Sequence, residues 1–331
     1  MIHQGDALTV LRTLPDESVD AIVCDPPYGL TTGANRGFMG LAWDGDVPPA
    51  ALWAELRRVA KPGANLLSFG ATRRNHRLVC AIEDGGWEIH DTIAWIYGHG
   101  YPKSKGSLKP ALELITVARN GGPRGLNTDA CRIPVEDDAY ARNCSGDRGH
   151  AGTRSIDQRG ATNLTTGGGS ASDLGRWPAN VTHDGSPDVL TGFNGTGTRG
   201  TRPRVEEPNR TTEKFKNTFG DFKGEDDSIT YYGDAGSAAR FFYCARASKA
   251  ERGEGNTHPT VKPLALMRWL VRLATPPGGI VLDPFAGSGS TGVAALSEGF
   301  QFIGIEREAE YSAIAERRIR NVAPLFNQVS E

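Results

Sequence analysis

Apolar and polar positions along this chain form two regularly patterned stretches, separated by one that has no such order. In the first, Val19-Asp20-Ala21-Ile22-Val23-Cys24 is a short apolar run closed by Asp25-Pro26-Pro27, which predicts a buried strand. A helix is expected from about Pro48 to Ala60. Pro stands at its start, Leu52, Leu56 and Val59 share one face, and Lys61-Pro62-Gly63 marks its stop. Asn65–Gly70 predicts a second strand and Arg73–Asp84 a second helix. Ile89–Tyr97 and Leu112–Ala118 read as two further strands, near enough in sequence to pair.

The pattern returns late in the chain. A helix is expected over about Pro263–Ala274, with Leu264, Met267, Leu270 and Val271 apolar. Gly279–Asp283 predicts a strand, Gly287 to about Glu298 a glycine-led helix, and Gln301–Glu306 another strand. A last helix over about Ala309–Asn321 turns Tyr311, Ile314, Ala315 and Ile319 inward. Strands that alternate with helices imply an α/β domain with a largely parallel sheet. The stretch between is rich in Gly, Ser, Thr, Asn, Asp and Arg and lacks periodic apolar positions, which marks an irregular insertion. Three blocks follow: 1–119, 120–255 and 256–331, the first and third building one sheet.

Composition narrows the class. The 331 residues suffice for a sizeable core. A net charge of −2 excludes a basic nucleic-acid coat, so any nucleic-acid contact needs a local positive surface. Five scattered Cys without a CxxC pair fit reduced thiols, not a disulfide scaffold. MIHQGDALTV has no basic start and apolar stretch, no lipidation signal stands at either end, and no apolar run approaches a membrane span. A cytoplasmic enzyme with no membrane association is expected. The seven His show no metal-ligand spacing, and Cys131, Cys144 and His150 lack both the intervals and a fourth ligand, so no metal is expected.

Two motifs carry chemistry. Asp25-Pro26-Pro27-Tyr28 directly follows a predicted strand, and chance yields this tetrapeptide in roughly one chain in several hundred of this length. It also makes a rigid strand-end turn, since Pro fixes φ and extends the residue before it. Its position is where α/β sheets bind ligands. An exocyclic ring amine is a poor nucleophile because its lone pair is delocalised into the ring. The Asp25 carboxylate and the Pro26 carbonyl each offer an acceptor for one of its N–H bonds, which holds the lone pair out of the ring plane. Tyr28 offers a face for an extruded base.

The second motif is Asp283-Pro284-Phe285-Ala286-Gly287-Ser288-Gly289-Ser290-Thr291-Gly292, between a strand and a helix. Gly287, Gly289 and Gly292 fit G-x-G-x-x-G, a weak signal alone. Glu306 closes the next strand, where a carboxylate meets ribose hydroxyls in nucleotide-binding sheets. No Lys precedes Ser290 or Thr291, so this is not a P-loop; an adenosine-containing cofactor is expected.

At these two motifs the chain resembles the amino-methylating DNA methyltransferases, and the order of the motifs, catalytic first and cofactor last, resembles the β class. Gly5-Asp6-Ala7 resembles that family's element at the cofactor adenine. His258-Pro259-Thr260-Val261-Lys262-Pro263 resembles the segment whose polar residues hold the methionine end, and Lys109–Glu113 also matches. The resemblance implies a Rossmann-like methyltransferase fold: a mostly parallel, doubly wound sheet with an antiparallel edge hairpin, and residues 120–255 as target-recognition region. It implies catalysis by Asp25, Pro26, Pro27 and Tyr28. It implies S-adenosylmethionine held by Asp6, Ala7, Asp25, His258, Thr260, Lys262, Asp283, Pro284, Phe285, Gly287, Ser288, Gly289 and Glu306. The expected reaction is site-specific methylation of adenine N6 in double-stranded DNA by base flipping and direct in-line transfer, with N4 of cytosine or RNA as alternative acceptors. The aromatic residue at 28 favours adenine, and C5 methylation is disfavoured because no Cys follows a Pro. A homodimer and a cognate restriction endonuclease are further partners that the family admits, in a bacterial or phage setting.

Weaker signals point to DNA. Lys103 and Lys105 in Gly98–Ser107 suit phosphate contact, and Arg199, Arg202, Arg204 and Arg210 suit phosphates or guanine edges; solvated loops explain both equally simply. Asn35–Trp43 is a candidate lid, or plain packing. Two other classes compete. A nicotinamide-dependent oxidoreductase accounts for the glycines and Glu306 but not for Asp25–Tyr28. A non-catalytic DNA-binding module has no use for Asp25.

Overall fold

The structure, a computed structural model, describes residues 1–30, 46–98, 100, 106, 108–123, 125–134, 175–193, 238–245, 256–258 and 261–322. The chain divides into two compact units. One comprises Met1–Ile133, Trp177–Gly192 and Phe241–Glu331, and the other Pro134–Arg176 and Phe193–Arg240. The sheet, its helices and both motifs belong to the first.

Among the described residues the first unit has nine strands: β1 (Ile2–Gln4), β2 (Val19–Cys24), β3 (Ala60–Gly70), β4 (Glu88–Ile96), β5 (Leu112–Arg119), β6 (Val181–His183), β7 (Tyr243–Cys244), β8 (Ile280–Asp283) and β9 (Gln301–Glu306). Its helices are α1 (Ala7–Leu11), α2 (Ala50–Val59), α3 (Asn75–Asp84), α4 (Pro187–Phe193), α5 (Leu264–Ala274), α6 (Ser290–Ser297) and α7 (Ala309–Val322). The strand order is β1-β9-β8-β2-β3-β5-β4-β6-β7. All neighbours run parallel except at β5, which is antiparallel to both β3 and β4.

Two expectations change here. The antiparallel hairpin does not form the edge, because β6 and β7 extend the sheet beyond β4. Both come from the stretch read as irregular. At three and two residues they are too short to carry a period, and pairing with β4 defines them. The strand expected at Asn65 instead starts at Ala60. Lys61-Pro62-Gly63 ends the helix but also carries the chain directly into the sheet, with a positive φ of 79° at Gly63.

Burial explains the layers. Every residue of β2 is buried, and its side chains alternate between two cores. Ala21 and Val23 pack with Leu266, Met267, Leu270 and Val271 of α5. Ile22 and Cys24 pack with Leu52, Trp53, Leu56 and Val59 of α2. The buried Asp20 is paired: Lys61 Nζ lies 2.9 Å from its Oδ2, which also accepts from Ile280 N at 3.0 Å. One carboxylate thus ties β2 to both its neighbours.

Candidate functional site at the sheet switch point

Chain direction locates the site. From β2 the chain proceeds to β3 on one side, and from β8 to β9 on the other, so β2 and β8 flank a topological switch point. They pair through Ala21↔Val281 and Ile22↔Leu282, which sets Asp25 and Asp283 at adjacent tips. Gln4 pairs with Glu306, so Gly5-Asp6 emerges beside Glu306. The reversed direction of β5 brings its first residues to this same edge: Leu114 pairs with Gly70, so Glu113 lies just past the tip of β3. One cavity of about 800 Å³ runs along these tips and is lined by Asp6, Ala7, Asp25, Pro26, Pro27, Tyr28, Glu113, His258, Lys262, Asp283, Pro284, Phe285, Gly287, Ser288, Glu306 and Tyr311.

At one end stands a polar cluster. Tyr28 Oη donates to Asp25 Oδ1 at 2.7 Å and lies 3.2 Å from Glu113 Oε2. Lys262 Nζ is 3.0 Å from Asp25 Oδ2, 2.9 Å from Glu113 Oε2 and 2.9 Å from Tyr28 Oη. Burial opposes the charge on Lys262, but Asp25 and Glu113 outweigh it and raise its pKa above the usual lysine value. Burial and the two carboxylates raise the Tyr28 phenol well above its ordinary value, so it stays protonated.

At the other end the glycine turn joins β8 to α6. Asp283 Oδ1 accepts from Phe285 N at 2.9 Å and Oδ2 from Thr291 Oγ1 at 2.6 Å. Burial pushes the Asp283 pKa up to about 7, against the pull of these hydrogen bonds. Glu306, also raised by burial, accepts from Gly287 N at 2.7 Å and Glu308 N at 2.8 Å. Gly287 has a φ of 51°, and a Cβ there would lie 2.9 Å from His258 Nε2. His258 in turn packs edge-on against Tyr311, with centroids 4.5 Å apart. Ser288 is held from α7, where Arg318 Nη1 donates to its carbonyl at 2.5 Å and to its hydroxyl at 2.9 Å. Asp6 caps α1 by accepting from Thr9 N at 3.0 Å.

Of the residues singled out in the sequence, Gly289 does not line the cavity. Its φ of 79° and the approach of Ala315, 3.0 Å from the position of a Cβ, make it a packing glycine under α7. Thr260, Lys103, Lys105, Arg199, Arg202, Arg204, Arg210 and the segment Asn35–Trp43 lie outside the described residues. Sequence reasoning missed the part Glu113 plays, because nothing local to β5 says that its start reaches this cavity. It also missed Tyr311 and Arg318, which sit among ordinary helix positions of α7.

The fold and site define an α/β protein of the doubly wound class, with an acceptor-rich tip and a nucleotide-type glycine turn sharing one cleft. The chain belongs to the DNA methylase family, whose sequence profile matches residues 19–317. It is 48% identical over 328 residues to the DNA adenine methyltransferase YhdJ of Escherichia coli (strain K12), covering 96% of this chain and 82% of that protein. It is 38% identical over 87 residues to the Type II methyltransferase M.HinfI of Haemophilus influenzae, covering 26% of this chain and 24% of that protein. Among solved structures, the cytosine-N4-specific PvuII DNA methyltransferase matches with a TM-score of 0.52 at 14% identity, over 99% of this chain and 91% of that one, a likeness of fold. Among the described residues no helix is long and apolar enough to cross a membrane.

Proposed function

We propose that this protein transfers a methyl group from S-adenosylmethionine to N6 of an adenine flipped out of double-stranded DNA. The observation that carries the reading is the single cavity shared by Asp25 and Tyr28 with Asp283, Gly287 and Glu306. Identity of 48% over 96% of this chain to a protein named as a DNA adenine methyltransferase supports adenine over cytosine.

The residues at the glycine turn fit the cofactor. A side chain at Gly287 would close the turn against His258, so its absence lets a ligand approach the backbone. Glu306 is a buried carboxylate at the position where ribose hydroxyls are met, and the buried Asp283 carboxyl suits a cationic group. When bound, the cofactor supplies a methyl group activated by a sulfonium. The chain supplies orientation. Asp25 and the Pro26 carbonyl accept the two N–H bonds of the amine, and the rigid Pro26-Pro27 turn keeps both acceptors fixed. Tyr28 stacks on the base, and the Asp25 carboxylate receives the proton that the alkylated nitrogen sheds.

In this reading residues 1–119 and 256–331 are the two halves of the catalytic domain, β6 and β7 of the 120–255 stretch complete its sheet, and the rest of that stretch recognises the target. Lys103, Lys105 and Arg199, Arg202 and Arg204 would contact DNA. A second copy of the chain and a cognate restriction endonuclease are partners this reading admits, and its setting is the cytoplasm. The test is Asp25→Ala. Methyl transfer to DNA should vanish while S-adenosylhomocysteine binds within a few-fold of the parent. Retained transfer with lost cofactor binding reverses the two assignments. Nucleoside mass spectrometry of DNA from expressing cells reads the base directly, and N4-methylcytosine in place of N6-methyladenine would correct the acceptor.

A further inference from the structure

The segment around Lys262 was expected to serve the cofactor, yet the geometry points elsewhere. Lys262 is 8% exposed, and its ammonium has three hydrogens to donate. Three acceptors surround it at bonding distance: Asp25 Oδ2 at 3.0 Å, Glu113 Oε2 at 2.9 Å and Tyr28 Oη at 2.9 Å. These account for its full donor capacity, so none remains for the carboxylate of a cofactor. The Phe69 ring, with its centroid 4.7 Å from Nζ, closes another side.

We propose that Lys262, with Glu113 as its counter-ion, is a positioning residue that fixes the carboxylate of Asp25 and the ring of Tyr28 in their reactive arrangement. The proposal rests on the reading of Asp25 as the group that meets the amine. Lys262 holds Oδ2 of that carboxylate and the Tyr28 hydroxyl holds Oδ1 at 2.7 Å, so neither oxygen rotates freely. Each keeps a second lone pair for an N–H of the substrate. Lys262 lines the cavity beside both residues, and Glu113 reaches Lys262 because β5 runs against its neighbours. Two carboxylates and one ammonium leave the cluster with one net negative charge. That sign favours a nitrogen gaining positive charge as it is alkylated.

The experiment compares Lys262→Met, Lys262→Arg and Glu113→Gln with the parent in two measurements: single-turnover methyl transfer at saturating cofactor, and S-adenosylhomocysteine affinity. Lys262→Met should lower the rate about 100-fold, the scale of a lost alignment, and leave the affinity within about three-fold. Lys262→Arg should recover part of the rate. Glu113→Gln loosens the ion pair that holds Lys262, so it should lower the rate more mildly and leave the affinity within about three-fold. Weakened S-adenosylhomocysteine binding with an unchanged saturated rate in Lys262→Met would make Lys262 a cofactor ligand and overturn the proposal. A rate loss that Lys262→Arg does not recover at all would reduce it to a packing residue, and also overturns it. Should Lys262→Met misfold, weakened S-adenosylhomocysteine binding with a parental saturated rate in Glu113→Gln refutes the proposal by itself. Activity surviving Asp25→Ala would instead defeat the reading on which the proposal stands.

Discussion

Thr291→Val removes one hydroxyl and little else. Thr291 is 3% exposed, and its Oγ1 donates to Asp283 Oδ2 at 2.6 Å. Burial already raises the Asp283 pKa from 3.8 to about 7, so stability falls as pH rises between those values, by about 4 kcal/mol in total. The sign follows because the unfolded chain gives up this proton more readily than the folded one. The threonine hydroxyl offsets part of that cost by donating to the ionised form. A hydrogen bond to a charged acceptor contributes roughly 1.5–3 kcal/mol, equivalent to a further pKa rise of about one to two units when it is lost. At pH 6 the carboxyl is neutral in both proteins, and the variant should lose about 1 kcal/mol or less. At pH 9 it should lose about 2 kcal/mol more than that. Urea unfolding at the two pH values, followed by fluorescence of the buried Trp53, Trp87 and Trp269, reads the difference as a midpoint shift. Equal shifts at both pH values, or a larger one at pH 6, would refute the claim that Thr291 acts on the ionised carboxylate.

Two other outcomes follow from the same region. Cofactor binding near pH 7 should release a fraction of a proton as Asp283 ionises beside a cation, giving a calorimetric heat that differs between phosphate and Tris. Absence of that buffer dependence, or its persistence in Asp283→Asn, would remove Asp283 from the cation's side. Gly292→Ala places a methyl 2.6 Å from the Phe302 ring and 2.5 Å from Ile319 Cδ1, so it should cost about 1–3 kcal/mol of stability by thermal unfolding. A neutral result would mean that α7 shifts off the sheet without penalty.

Legibility in the sequence tracked how local each feature is. The runs at Val19–Cys24 and Gln301–Glu306 coincide with β2 and β9 because burial on both faces writes itself into consecutive residues. The two motifs were readable because a turn needs particular residues at fixed spacing. The short strands β1, β6 and β7 were not, since three or fewer residues carry no period and their pairing belongs to distant partners. The cluster around Asp25 was half readable. Asp25 and Tyr28 stand in a motif, whereas Glu113 ends the matched segment Lys109–Glu113 but joins them only through the reversal of β5, a fact of topology.

The seam between β2 and β8 also has a temporal consequence. During synthesis β2 emerges early and finds β3 soon, while its other flank waits for a strand made near the far end of the chain, and β1 waits for β9. Until then the growing polypeptide carries an open hydrogen-bonding edge and no cleft. A ribosome-bound chain halted before Ile280 therefore presents half a sheet with an adhesive border, the part of its life in which this protein most needs a chaperone.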